Sequence, residues 1–97
     1  MIIYKREDAT AYLGWDFSDE LPDGETLQNS SDVKIFDPTG ADITADLLRD
    51  KSITGNEIDV VIKKGGTNLN DYRIVFYGVT ENLTPTHEVT MKIRDSG

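Results

Sequence analysis

Apolar and polar residues alternate along several short stretches of this chain, and this alternation limits its fold more than any other feature. Between residues 11 and 17 every second residue is apolar, which places Leu13, Trp15 and Phe17 on one side of a strand. The same period recurs in residues 58–62, 72–76 and 89–93. Turn-forming sequences separate these stretches at Asp23-Gly24, Asp37-Pro38-Thr39-Gly40, Gly55-Asn56 and Gly65-Gly66. The pattern predicts one all-β domain over residues 1–97, an immunoglobulin-like antiparallel β-sandwich of about seven strands.

Two stretches depart from the regular alternation. Residues 43–48 favour a loop with a single helical turn in which Thr44 is a candidate cap, and a strand beginning at Ile43 stays open as the alternative. Gly14 interrupts the first predicted strand and predicts a bend or bulge there. Residues 95–97 are expected to form a tail after the last strand, 87–94.

Four residues are predicted to be structural. Trp15 is expected to face the core. Tyr72 begins the penultimate predicted strand after a polar loop, where it is either a tyrosine corner or an ordinary core tyrosine. Gly65 and Gly66 predict a sharp turn. The preceding lysines do not make this turn a phosphate loop, because that motif places its lysine after the glycines and at the start of a helix.

Three residues are candidates for contact with a partner. Tyr12 lies on the polar side of the first predicted strand. Val75 and Tyr77 alternate with an inward row that contains Ile74 and Phe76, so this strand is apolar on both sides. Two interpretations stay open for Val75 and Tyr77, an exposed contact surface or burial against the opposite sheet or a loop.

The charge of the chain disfavours two classes of ligand. Its 18 acidic and 10 basic residues give a net charge of -8, which repels nucleic acid phosphates and anionic membrane surfaces. Either the charge serves solubility or it forms an acidic patch for a basic partner. The chain has no cysteine, which excludes disulfides and thiolate zinc sites and is typical of a reducing compartment. It lacks both the apolar region of a signal peptide and an apolar run of about 20 residues that would span a membrane.

Catalytic chemistry finds little support in the residues. His87 is the only histidine and is expected at the surface, and no cysteine or Gly-x-Ser-x-Gly sequence accompanies it. The carboxylates of residues 19–25 and of Asp37 and Asp42 lack the spacing of a calcium loop. The sequence therefore predicts a protein that is not an enzyme and has no catalytic, metal or cofactor site.

Several motifs resemble a family of small structural proteins of tailed bacteriophages and prophages. The first is Trp15-Asp16-Phe17-Ser18, followed by Leu21 and Asp23-Gly24-Glu25-Thr26-Leu27. The later ones are Ile58-Asp59-Val60-Val61-Ile62, Gly65-Gly66-Thr67, Tyr72-Arg73-Ile74 and the closing Val89-Thr90-Met91-Lys92-Ile93-Arg94. The resemblance spans most of the chain, and the stretch from Asp37 to Lys51 has the fewest residues that can be compared with the family.

The resemblance implies a virion component of the tail, fibre-adaptor or head–tail module, made in the bacterial cytoplasm. Its partners would be other virion structural proteins, with self-association as a further expectation, and not nucleic acid or membrane. The alternative is a carbohydrate- or cell-surface-binding β-sandwich, which would need an exposed aromatic platform. An enzyme ranks third, because it would need a deep pocket with convergent carboxylates.

Overall fold

A computed structural model describes residues 1–95, and within them the chain forms seven strands and two short helices. The strands are β1 (Ile2–Lys5), β2 (Ala11–Asp16), β3 (Asp32–Phe36), β4 (Leu48–Thr54), β5 (Glu57–Ile62), β6 (Asp71–Tyr77) and β7 (Thr86–Ile93). A 3-10 turn covers Ser18–Glu20, and the α-helical turn α1 covers Thr44–Leu47. The all-β prediction is confirmed. Of the expected tail, Ser96 and Gly97 lie outside the described residues.

The strands form two sheets, with the orders β1-β7-β6-β3 and β2-β5-β4. The orders β2-β5-β4 and β3-β6-β7 correspond to the B-E-D and C-F-G strands of an immunoglobulin-like sandwich, and the immunoglobulin-like assignment stays a prediction that this order supports. All neighbours pair antiparallel except β1 and β7, which pair in parallel. The sequence analysis missed β1, because its four residues carry too short an alternation to identify a strand.

The inward sides of the two sheets form one hydrophobic core, as the alternation predicted. The buried hydrophobic residues are Phe17, Val33, Ile35, Leu47, Ile58, Val60, Ile62, Tyr72, Ile74, Phe76, Val89, Met91 and Ile93. The inward residues of β2, among them Leu13 and Trp15, are only partly buried against this core. Burial of the inward hydrophobic residues is therefore most complete on β3, β5, β6 and β7 and only partial on β1, β2 and β4.

The bulge predicted at Gly14 is wrong. Gly14 pairs with Asp59 in a register that runs unbroken from Ala11 to Asp16. A Cβ atom at Gly14 would displace the carboxylate of Asp59, so Gly14 makes room for a neighbouring side chain and does not mark a change in backbone direction. The register shift lies instead in β4, between Leu48 and Asp50.

The helical turn expected within residues 43–48 is present as α1, but Thr44 does not cap it. The N-cap position belongs to Ile43, and no side chain caps the helix. The Thr44 hydroxyl instead accepts a hydrogen bond of 2.9 Å from the main-chain N–H of Ile35. Thr44 therefore fastens α1 to β3.

Tyr72 has the geometry of a tyrosine corner. Its side chain is 5% exposed, and its hydroxyl accepts a hydrogen bond of 2.9 Å from the main-chain N–H of Thr67. Gly65 and Gly66 precede this bond with φ angles of 135° and 88°, in the region that glycine adopts without a steric penalty. The two glycines thus make the turn that brings Thr67 back to Tyr72.

His87 is not the surface residue that the sequence predicted. It lies two residues before Val89 on β7 and shares the inward side of that strand. Its ring stacks on Trp15 of the other sheet, with 3.5 Å between ring centroids and 6° between planes. The pair joins the two sheets on the flank where β1 and β2 lie.

Candidate contact surfaces

The outer face of the three-stranded sheet is acidic, and it carries Tyr12. The outward residues Asp16, Asp50, Glu57 and Asp59 fall on adjacent positions of β2, β4 and β5. The only strand cation beside them is Arg49 at the bulge, whose guanidinium lies 3.7 Å from the Asp50 carboxylate. We call this surface, formed by the outward residues of β2, β5 and β4, the acidic face.

A shallow groove of about 370 Å³ runs across the acidic face. Gly14 leaves space that the Asp59 carboxylate partly fills, and Asp50 lies on the far side. Tyr12 stands at the rim with 76% of its side chain exposed. A groove with carboxylates and an exposed aromatic ring offers both charge and a π face to a cation.

Carboxylates on the acidic face interact with one another. A hydrogen bond to Asp59 is the main cause that raises the pKa of Glu57, and the negative charges of Asp59 and Asp16 add to it. Like charges disfavour each other's ionised form. The carboxylates of the acidic face therefore repel one another, and the face has too few cations to neutralise them. A partner's cation would relieve this repulsion.

The outer face of the four-stranded sheet carries Val75 and Tyr77. The interpretation that they are buried against the opposite sheet is wrong, because Ile74 and Phe76 occupy the inward positions of β6. Val75 and Tyr77 are half-buried among their neighbours on the outside, where they line a groove of about 360 Å³ with Phe36.

Most charges on this second face are paired within it, while the exposed Lys34 of β3, beside Val75, forms no ion pair among the described residues. Arg73 lies 3.0 Å from Glu88, and its guanidinium carbon sits 5.0 Å from the centre of the Phe36 ring. Asp71 is held by Lys92 at 3.2 Å and by Arg94 at 2.9 Å, and these hydrogen bonds lower the pKa of its carboxyl group. We call this surface, formed by the outward residues of β1, β7, β6 and β3, the mixed face.

The net charge resides at one end of the sandwich. Eight carboxylates lie on the acidic face near that end or in the loops there, and none of them forms an ion pair among the described residues. They are Asp16, Asp19, Glu20, Asp23, Glu25, Glu57, Asp59 and Glu81. The remaining 18 − 8 = 10 acidic residues balance the 10 basic ones. We call this end, with loops 17–31, 55–56 and 78–85, the acidic end.

Hydrogen bonds hold the loops of the acidic end together. The Ser31 hydroxyl is buried; it accepts a bond of 2.8 Å from the Val79 N–H and donates one of 3.3 Å to the Val79 carbonyl. The Thr80 hydroxyl donates to the Glu25 carboxylate at 2.9 Å. The negative charge is thus displayed on fixed loops.

A buried lysine organises the opposite end. The Lys5 ammonium donates to the carbonyls of Arg6 and Ala9 at 2.8 Å each and to that of Gly65 at 3.0 Å. Only 4% of the residue is exposed, and burial lowers the pKa of its amine while nearby carboxylates, Asp8 first, oppose this shift. We call this end, with loops 6–10 and 63–70, the Lys5 end.

The sequence analysis missed Lys5 and Ser31. Lys5 lies on the inward side of β1 together with Ile3, and an inward lysine in an apolar strand is the only signal it gave. Ser31 directly precedes β3 in a polar run, where nothing distinguishes it from its neighbours. Each has a partner far along the chain, Gly65 for Lys5 and Val79 for Ser31.

Trp15 and His87 leave two polar atoms without partners. Among residues 1–95 no hydrogen bond reaches the buried Nε1 of Trp15 or Nε2 of His87. Burial lowers the pKa of His87, and Glu20 opposes the shift. The stack therefore favours a neutral imidazole.

Residues 1–95 contain no group of three or more histidine or acidic side chains placed to hold a metal ion. In the same residues no helix is long and apolar enough to cross a membrane.

The fold and its surfaces define a small two-sheet β protein whose two outer faces differ in charge. Residues 5–94 match the family described as "Podophage GP4 fiber-tail adaptor protein gp77", and the chain belongs to this family. The membership confirms the resemblance to tail and fibre-adaptor proteins of phages and makes the chain a virion tail component. No curated protein and no solved structure matches the chain.

Proposed function

We propose that this chain is a non-enzymatic adaptor that links neighbouring tail and fibre proteins through direct contacts on two opposite faces. The observation that carries the proposal is the difference between the acidic face, which bears Tyr12, and the mixed face, which bears Val75 and Tyr77. An adaptor between two unlike proteins needs two unlike surfaces, and the sandwich offers them on its two sides. Membership in a fibre-tail adaptor family supports this role.

On the acidic face we expect contact with a basic surface. Lysine or arginine side chains of a neighbour would meet the carboxylates of Asp50 and Asp59 in the groove, and the ring of Tyr12 would stack against them. The charge of the acidic end would also steer such a partner toward this side of the molecule. The same charge disfavours nucleic acid and membrane partners.

On the mixed face we expect contact through apolar and aromatic area. Arg73, Lys92 and Arg94 already have carboxylate partners, which leaves Lys34 as the exposed cation beside Val75. Tyrosine and arginine are common at the centres of protein interfaces because they bury large area with few flexible bonds. Tyr77 and Arg73 lie beside the groove in this way.

Binding to purified tail and fibre proteins encoded in the same structural module tests the proposal. We expect Tyr12→Ala to weaken binding to one partner, and Tyr77→Ala to weaken binding to the other, each by about tenfold or more. The matched control is Lys64→Ala, at an exposed lysine of the Lys5 end. Only the contact at Tyr12 should weaken steeply with added salt.

Three results would speak against two-sided binding. Neither partner binding the wild-type chain would overturn the proposed function altogether. Both variants binding like the control would move the contacts away from these two tyrosines. One variant losing both partners would mean that a single face is used.

The carbohydrate-binding alternative is not favoured by the position of Trp15. It required Trp15 to be exposed beside Tyr12 or Tyr77, yet Trp15 is partly buried on the inward side of β2 and stacks on His87. Tyr12 points to the opposite side of the same strand.

A further inference from the structure

The free side of β1 is an open edge of the four-stranded sheet. The Thr90 N–H donates to the Met1 carbonyl and the Arg94 N–H donates to the Lys5 carbonyl, each at 2.9 Å. Since main-chain groups of alternate residues point to the same neighbour in a ladder, those of Ile2 and Tyr4 point away from β7. In the described residues, no hydrogen bond outside the β1–β7 ladder reaches the main chain of Ile2 or Tyr4.

Of the three other edge strands, β3 and β4 are protected, whereas β2, on the same flank as β1, is open like β1. On β3, the Ile35 N–H donates to the Thr44 hydroxyl and the Ile35 carbonyl accepts from Ile43 at 2.8 Å, which covers that edge with α1. On β4, a register shift and the charged residues 49–51 interrupt the edge. Bulges, charges and covering segments are the usual protection of sheet edges against pairing with other chains.

The side chains beside this edge are also incompletely covered. On the outer side, Ile2 and Tyr4 are 55% and 70% exposed. On the inner side, Leu13 and Trp15 on the same flank are only partly buried. On the closed flank, Val33 and Ile35 of β3 are fully buried, while Leu48 and Ile53 of β4 are partly buried like Leu13 and Trp15. A strand placed beside β1 would cover apolar area on both of its sides.

We propose that the open edge of β1 accepts an extended strand from a neighbouring tail or fibre protein, which would extend the four-stranded sheet by one strand. The inference rests on the proposed function and names how one of the contacts is made. Main-chain bonds to Ile2 and Tyr4 would supply affinity, and alternate apolar side chains of the incoming strand would pack toward Leu13 and Trp15.

A second copy of this chain fits the edge less well. Its own open strand has four residues, and pairing two such strands would bury far less than the roughly 1,200 Å² that stable interfaces need. Each copy also carries a charge of -8, so two copies repel each other. A segment of an uncharged or basic partner meets the same four-residue edge without this repulsion.

Two substitutions at one position test the proposal. Tyr4→Pro removes the outward N–H and leaves the ladder to β7 intact, because that N–H is not part of the ladder. Tyr4→Ala removes the side chain and keeps the N–H. With purified tail and fibre proteins from the same module, we expect Tyr4→Pro to weaken one partner by about tenfold or more, well beyond the effect of Tyr4→Ala.

Amide hydrogen exchange supplies a second readout. In the free protein the Ile2 and Tyr4 amides should exchange faster than those of Ile3 and Lys5, and partner binding should protect them. Ile2→Pro repeats the test at a second outward position if Tyr4→Pro unfolds the chain.

The outcomes separate this inference from the proposed function. If Tyr4→Pro and Tyr4→Ala lose the same affinity for the partner, and partner binding does not protect the Ile2 and Tyr4 amides, the contact is made by side chains alone. This result would overturn the proposal. Unchanged binding by Tyr4→Pro together with weakened Tyr12→Ala or Tyr77→Ala would overturn only the added strand. A wild-type dimer that Tyr4→Pro converts to a monomer would show that the occupant is a second copy. No binding by the wild type would overturn both proposals.

Discussion

The acidic end and the Lys5 end are both built from loops held by hydrogen bonds, yet they treat charge in opposite ways. At the Lys5 end, a buried ammonium is surrounded by three carbonyl oxygens, and the acidic residues outside the acidic end are matched in number by cations. At the acidic end, eight carboxylates gather and none of them forms an ion pair among the described residues.

This difference suggests that the Lys5 end serves the stability of the fold and that the acidic end serves the binding of a partner. The Lys5 end satisfies its own polar groups and leaves little for a partner to complete. The acidic end fixes its loops through Ser31 and Thr80 but keeps its charge outside, where repulsion lowers stability unless a partner neutralises it. Perturbing each end should therefore have different consequences.

The largest effect is expected from removing the buried cation. Lys5→Met leaves the carbonyls of Arg6, Ala9 and Gly65 without a donor and should lower the free energy of unfolding by about 2–4 kcal/mol. Urea denaturation followed by circular dichroism measures this loss. Lys64→Met, at an exposed position, is the control and should change stability by less than about 0.5 kcal/mol. Equal midpoints for the two variants would contradict the role of Lys5.

A smaller loss is expected at the acidic end. Ser31→Ala leaves the buried N–H of Val79 without its acceptor and should cost about 1–3 kcal/mol in the same assay. The neighbouring Ser30→Ala changes an exposed side chain and serves as the control. If Ser31→Ala matches Ser30→Ala, the hydroxyl does not hold these loops.

The Trp15–His87 stack should make stability depend on pH. Because the folded state depresses the pKa of His87, its contribution is present above the ordinary histidine value of about 6.5. That contribution is lost as the pH falls below this value, since the unfolded chain then binds the proton more tightly. Urea midpoints at pH 7 and at about pH 5 measure the loss.

His87→Phe supplies the control for that titration, since it keeps an aromatic ring against Trp15 and cannot be protonated. Its midpoint should fall less than that of the wild type over the same interval. An equal fall in both proteins would assign the pH dependence to carboxylates instead.

The smallest effect is expected from relieving repulsion on the acidic face. Glu57→Gln removes one of the interacting carboxylates beside Asp59 and should raise the thermal midpoint slightly at low salt. Screening should erase the gain at high salt. Glu88→Gln on the mixed face removes a carboxylate paired with Arg73, and it should not raise the midpoint. A gain for Glu57→Gln that persists in high salt would exclude charge repulsion as its cause.

Residues that act through local alternation could be predicted from the sequence. The inward rows of β5, β6 and β7 follow from the period of two, and the turn at Gly65-Gly66 follows from residue type. The period of two also places His87 on the inward side of β7, in the same row as Val89. The prediction that His87 lies at the surface was wrong because it relied on the polarity of histidine and not on this position.

Residues that act through distant partners could not be predicted. Gly14 is explained by Asp59 on another strand, and Lys5 by a carbonyl in the 63–70 loop. The placement of Tyr12 and Tyr77 on opposite faces depends on how the two sheets stack, which alternation within one strand does not define. Their roles as partner contacts stay predictions.

The parallel pairing of β1 with β7 also sets an order for events during synthesis. Ile2 pairs with Thr90, so β1 is synthesised well before the strand that it pairs with. Contacts between such distant segments slow folding, because a long loop must close before the pairing stabilises it. During synthesis β1 would therefore stay without its sheet partner until β7 has emerged.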